Sequence, residues 1–161
     1  MASTTPTAYE NFLLLSVQLC GISSFDLVGT GYASQYYDTV AGIVGPDRLQ
    51  RLLDSFAGLT RDPEARNYAL RKAILENEEF GPVARNIIKL WYSAVWFALP
   101  DEWQTKYGHI EKNVEFIPFA YAYPESLLGP ATGAHPAGAK PTGHQSWALP
   151  PVYLSIPPEC V

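Results

Sequence analysis

The stretch Pro82–Leu99 reads PVARNIIKLWYSAVWFAL and is apolar around most of its circumference, with Arg85 and Asn86 as the polar interruption. A helix hydrophobic on nearly all sides must be surrounded, which predicts a place at the centre of a helical bundle or at a subunit contact. Trp91 and Trp96 stand five positions apart, about 140° out of phase at ~100° per residue, and so require different neighbours. Its most apolar part, Ile87 to Leu99, still contains Lys89. As a helix it would span about 20 Å, short of the ~30 Å hydrocarbon layer of a bilayer, so it reads as a buried helix.

Upstream, the chain is a series of helical patterns punctuated by glycine and proline. Gly81-Pro82 opens the apolar stretch. Before it, Asp62-Pro63-Glu64 signals a helix start, with an Asp cap, a proline just inside and an acid near the positive end of the dipole. That helix is expected from Pro63 to about Glu79, with Leu70, Ala73 and Ile74 inward and Arg71, Lys72, Glu76, Glu78 and Glu79 on a solvated face. Leu49, Leu52, Leu53 and Phe56 form an apolar stripe after Gly45-Pro46. Tyr9, Phe12, Leu13, Val17 and Cys20 recur at helical spacing, ending near Gly21. Ser23-Ser24-Phe25-Asp26 reads as a turn, and Thr30, within Gly29-Thr30-Gly31, as the N-cap of a helix through Val44.

Downstream of Pro100 the pattern changes. Asp101 and Glu102 open a helical turn, and beyond it helical periodicity disappears. The residues from Pro124 onward are proline-rich, carry only Glu125, Lys140 and Glu159 as charges, and keep Tyr121, Tyr123, Leu127, Leu128, Trp147, Leu149, Val152, Tyr153, Leu154 and Ile156 in or beside them. Disordered tails are usually polar or charged. A long loop this apolar must lie on something, either its own bundle or a partner. The expected architecture is all-α: a small helical bundle over residues 1–107 and a long extended, proline-rich C-terminal arm over 108–161.

Composition narrows the function classes. The net charge is −5 and no Lys/Arg cluster occurs, which removes the basic footprint that nucleic-acid binding needs. Charged residues are only 17% and aromatics 13%, a balance that fits burial of part of the surface against another protein. Cys20 and Cys160 form neither a CxxC pair nor a disulfide framework. The amino-terminal residues show no basic n-region, no twin arginine and no apolar h-region.

A catalytic inventory is thin. His135 and His144 flank a Gly/Pro-rich segment without a zinc-signature spacing. No GxSxG elbow, Walker loop or GxGxxG after a strand occurs, and Gly29-Thr30-Gly31 lacks the third glycine of a dinucleotide fingerprint. The Glu76–Glu79 run reads as a solvated helix end. A stand-alone enzyme would have to use His135, His144 or that acidic run, and a non-catalytic chain without metal or cofactor of its own is the expectation.

Three stretches carry a resemblance. They are FLLLSVQLCGISSFDLVGTGYASQYYDTV (Phe12–Val40), GPVARNIIKLWYSAVW (Gly81–Trp96) with its Trp-Tyr pair, and GAHPAGAKPTGHQSWALPP (Gly133–Pro151) with Lys-Pro-x-Gly and Ser-Trp-x-x-Pro elements. Together and in this order, the chain resembles the small subunits of membrane-associated, FAD-dependent sorbitol and sugar dehydrogenase complexes. The resemblance implies that FAD and the catalytic groups lie on a large partner subunit of the glucose–methanol–choline oxidoreductase type. It also brings in a cytochrome c subunit as a further candidate partner, and no direct membrane span. Such small subunits often begin with a twin-arginine signal, which is not seen here. The location expected for the chain as written is cytoplasmic, or periplasmic where a signal has been removed or the partner directs export. The expected partner-binding residues are Trp91, Tyr92 and Trp96 on the apolar helix, and Lys140, Pro141, Trp147, Pro150, Pro151 and Tyr153 on the arm. The alternative is a helical adaptor for another partner protein.

Overall fold

A computed structural model describes residues 6–108, 110 and 113–134. Among these the protein is all-α, and the one extended feature is an isolated antiparallel bridge between Trp96 and Phe116. In chain order the helices are α1 (Ala8–Cys20), α2 (Ser24–Gly29), α3 (Ala33–Val44), α4 (Pro46–Ala57), α5 (Pro63–Leu70) continuing into a π turn (Arg71–Leu75), α6 (Phe80–Ser93), α7 (Asp101–Tyr107) and the one-turn α8 (Leu128–Ala131), with a 3-10 turn at Tyr123–Glu125. α1 packs against α2, α3, α4 and α6, and α6 also meets α3 and the π turn, so α1 and α6 share the centre.

Local chemistry sets most of the boundaries. Thr7 and Glu10 form a capping box at the start of α1, and Gly21 ends it in the left-handed region at φ 68°. Gly45, at φ 88°, and Pro46 separate α3 from α4, whose stripe of Leu49, Leu52, Leu53 and Phe56 is fully buried as its spacing predicts. Asp62 caps α5 by accepting from the Glu64 N–H. Two boundaries differ from expectation at the second turn. Ser23 is itself an N-cap, accepting from the Asp26 N–H, so Ser24–Gly29 is helical. Thr30 closes α2 by donating to the Leu27 carbonyl, while Tyr32 stands at the N-cap of α3.

The helix expected to reach Glu79 stops at Leu75, because Asn77 accepts from the Glu79 and Phe80 N–H groups and starts α6 afresh. Gly81 makes this junction possible. A Cβ there would lie 2.5 Å from the Leu75 carbonyl oxygen, so any side chain would force the two helical segments apart.

The apolar stretch does not stay helical to Leu99. α6 ends at Ser93, where Ala94 turns left-handed at φ 57° and its N–H bonds to the Leu90 carbonyl. The chain then runs out to Trp96, whose N–H and C=O both pair with Phe116 at 2.9 and 3.0 Å. Asn86, expected on the polar side, is buried, and its amide donates to the Phe97 carbonyl at 2.6 Å. That bond fastens the outgoing segment to the helix it has just left.

The first part of the extended arm expected from residue 108 lies on its own bundle. Asn113 pairs with Leu99 through both amide groups. Phe119 packs on Tyr32, Ala122 is fully buried, and the Leu127 N–H donates to the Trp91 carbonyl. These contacts lay part of residues 113–127 on the bundle, through Asn113, Phe116, Phe119, Ala122 and Leu127, while Tyr121, Tyr123 and Leu128 stay exposed. Residues 135–161 of the expected arm lie outside the described residues.

Candidate partner-docking face

Two of the three aromatic anchors expected on the apolar helix, Trp91 and Trp96, are not on the surface. Trp91 is 1% exposed and Trp96 fully buried, so both are core residues and neither presents a face to a partner. Trp91 stands edge-on to Tyr36 at 4.9 Å between ring centroids, and Trp96 sits at the bridge to Phe116. Tyr92 is half-buried, and its hydroxyl donates to the Cys20 carbonyl at 2.7 Å, joining α6 to the end of α1. Lys140, Pro141, Trp147, Pro150, Pro151 and Tyr153 lie outside the described residues, as do His135 and His144.

The acidic run offers no acid–base pair. Glu76 pairs with Lys72, Glu78 with Lys106, and Glu79 with both Arg48 and Arg51. A hydrogen bond from Lys106, with the attraction of its charge, holds the Glu78 carboxyl below its usual range. Glu79 is not on a solvated face. Its side chain is 20% exposed, and its backbone carbonyl accepts from the Trp103 indole at 2.8 Å. Among the described residues no group of histidines, cysteines and carboxylates could hold a metal ion, and no helix is long and apolar enough to cross a membrane.

Cys20 is a structural thiol. Burial pushes its pKa up from 9.0 to about 12. The raised value means that stability is complete below pH 9 and falls as pH climbs from there towards about 12. One unit above the unfolded value the loss reaches about 1.4 kcal/mol. Equilibrium urea unfolding between pH 8 and 10 should show this decline, and Cys20→Ala should flatten it. An identical decline in that variant would assign the effect to another group.

The exposed apolar surface lies elsewhere. Phe25, Val28, Tyr121, Tyr123 and Leu128 are five of the nine large apolar side chains exposed among the described residues, and they come from two short segments only. Of these five, Phe25 lines a groove of about 540 Å³ that lies between α2 and residues 124–131. Its apolar lining includes Ile22, Phe25, Leu127 and Pro130, and its acidic lining is Asp26 and Glu125. The walls are anchored from beneath by Leu27 and Ala122, both fully buried, and by the bond from Leu127 to Trp91. The groove is therefore built into the fold, as binding clefts generally are. Sequence reasoning missed it because Phe25 was read within a turn. A large aromatic in a polar turn was the available signal.

Among the described residues, the fold and this face define an all-α domain with a groove of mixed apolar and acidic lining. Comparison with protein-family models, with curated proteins and with solved structures gives no match.

Proposed function

We propose that the chain is a non-catalytic small subunit that assembles with, and stabilises, a large FAD-dependent sugar or polyol dehydrogenase subunit of the glucose–methanol–choline type. The observation that carries this reading is the resemblance of three stretches in one order. The first forms α1, α2 and α3, and the second forms α6 with its left-handed cap. The exposed Phe25, which belongs to the first stretch and lines the groove, supports a role in assembly, since aromatic side chains are enriched where proteins bind one another. FAD belongs to the partner in this reading, and this chain serves it by burying part of the flavoprotein's surface.

Co-expression with a large FAD-dependent dehydrogenase subunit of this type supplies the test. The two chains should co-purify, with flavin absorbance and dye-reducing activity following the large chain, and the small chain alone should hold no flavin. Within the arm, Trp147→Ala should weaken the complex by about 2 kcal/mol, the scale of a central aromatic anchor. Stoichiometric flavin on the isolated small chain, or no association with the flavoprotein, would refute the reading. A helical adaptor for a different partner rests on the same groove, and it predicts that the flavoprotein fails to bind.

A further inference from the structure

We propose that the groove between α2 and residues 124–131 is the seat of this chain's own residues 152–156, which cover Phe25 from within the same molecule. The groove of about 540 Å³ is the size of an ordinary binding cleft, and Ile22, Phe25, Leu127 and Pro130 give it apolar walls. Phe25 lines it while 84% exposed, and a large aromatic left in water at a cleft wall gains by being covered. The chain itself supplies a cover. Pro130 and Ala131 line the groove, and the described residues end close by at Ala134. Beyond them, residues 135–161 carry only Lys140 and Glu159 as charged side chains. Their most apolar run, Val152-Tyr153-Leu154-Ser155-Ile156, stands between Pro150-Pro151 and Pro157-Pro158. An extended chain there projects Val152, Leu154 and Ile156 to one side, an aliphatic row for an apolar cleft.

Reach, precedent and tethering favour this occupant over a separate molecule. The residues between Ala134 and Val152 span up to about 60 Å when extended, ample for a return to a groove that begins beside Ala134. The preceding part of the same chain already lies on the bundle, where Phe116, Phe119 and Leu127 pack against the core. Attachment sets an effective concentration on the order of millimolar, so a segment too weak to bind as a free peptide is seated when tethered. The flanking prolines also lower the entropy lost on seating, because the free chain is already restricted. Trp147 lies outside the seated run and stays available to a partner, so this inference stands apart from the small-subunit reading.

The test uses the isolated full chain at low concentration, with no partner present. With a photo-reactive benzoylphenylalanine in place of Phe25, irradiation should join that position to residues 149–158 of the same molecule, as read by mass spectrometry of the digested monomer. Phe25→Ser should speed chymotryptic cleavage after Tyr153 several-fold while leaving the circular dichroism unchanged, since a side chain 84% exposed contributes little to the bundle's packing. Leu154→Ser should in turn speed hydrogen exchange of the α2 amides several-fold, each change being felt at the other's position. No cross-link to residues 149–158, a cross-link found only between two copies, or unchanged cleavage and exchange in the two variants would overturn the proposal. Such a result leaves the small-subunit reading as it stood, because that reading fails only when the flavoprotein does not bind or the isolated chain holds flavin.

Discussion

Trp91→Ala is expected to lower the free energy of unfolding by about 3–5 kcal/mol, the usual range for removing a fully buried large aromatic. The indole is 1% exposed and sits where α1, α3 and α6 converge. Its ring meets Tyr36 edge-on, 83° from parallel, an arrangement that adds roughly 0.5–1.5 kcal/mol beyond area burial. Little of the loss should be polar, because the indole N–H has no acceptor among the described residues. Trp91→Phe, which keeps an aromatic edge contact and gives up only volume, should therefore recover most of the stability. For a domain whose total stability is of order 5–15 kcal/mol, the alanine variant should be visibly marginal. Urea unfolding followed by far-ultraviolet circular dichroism measures both variants. A midpoint unchanged by Trp91→Ala would place the ring outside the packed centre.

The second large effect is expected at Arg48. Its guanidinium donates to the Glu79 carboxylate at 3.1 Å, to the Val44 carbonyl at 2.8 Å and to the Tyr107 carbonyl, and it stacks 4.8 Å from the Trp103 ring. One side chain thus ties the junction of α3 and α4 to the start of α6 and the end of α7. The pair with Glu79 is about four-fifths buried on both sides, so water and salt screen it less than a surface pair. Arg48→Ala leaves two carbonyls without their donor and should cost about 2–4 kcal/mol, less than the sum of its separate bonds because Arg51 still holds Glu79. Arg48→Lys should rescue little, since an ammonium cannot reach three acceptors from one plane or stack as guanidinium does. A double-mutant cycle with Glu79→Gln isolates the pair. A loss below about 0.5 kcal/mol for Arg48→Ala, the level of an ordinary surface change, would mean that Trp103 alone docks α7.

The candidate site was less legible than the fold. Trp91 and Trp96 were identified as important, and they are, but as core. An aromatic at helical spacing carries no mark that tells an internal neighbour from a partner, and only the returning segment 113–127 shows that both are already covered. Glu79 looked like one member of a solvated acidic run because the two arginines that hold it come from α4, 31 and 28 residues away.

What the sequence determined by itself was local. The 3.6-residue stripe of α4, the capping by Asp62, and the breaks at Gly21 and Gly45-Pro46 follow from interactions within one or two turns, and they specify an all-α chain. The tertiary structure decided the rest. The end of α6 at Ser93 depends on Trp96 finding Phe116, and the burial of Asn86 depends on the Phe97 carbonyl that this turn brings back. The groove joins α2 to a segment about a hundred positions later, so no window along the chain contains both of its walls. Backbone propensity and capping are settled between near neighbours, whereas burial is settled by whichever distant surface arrives to exclude water.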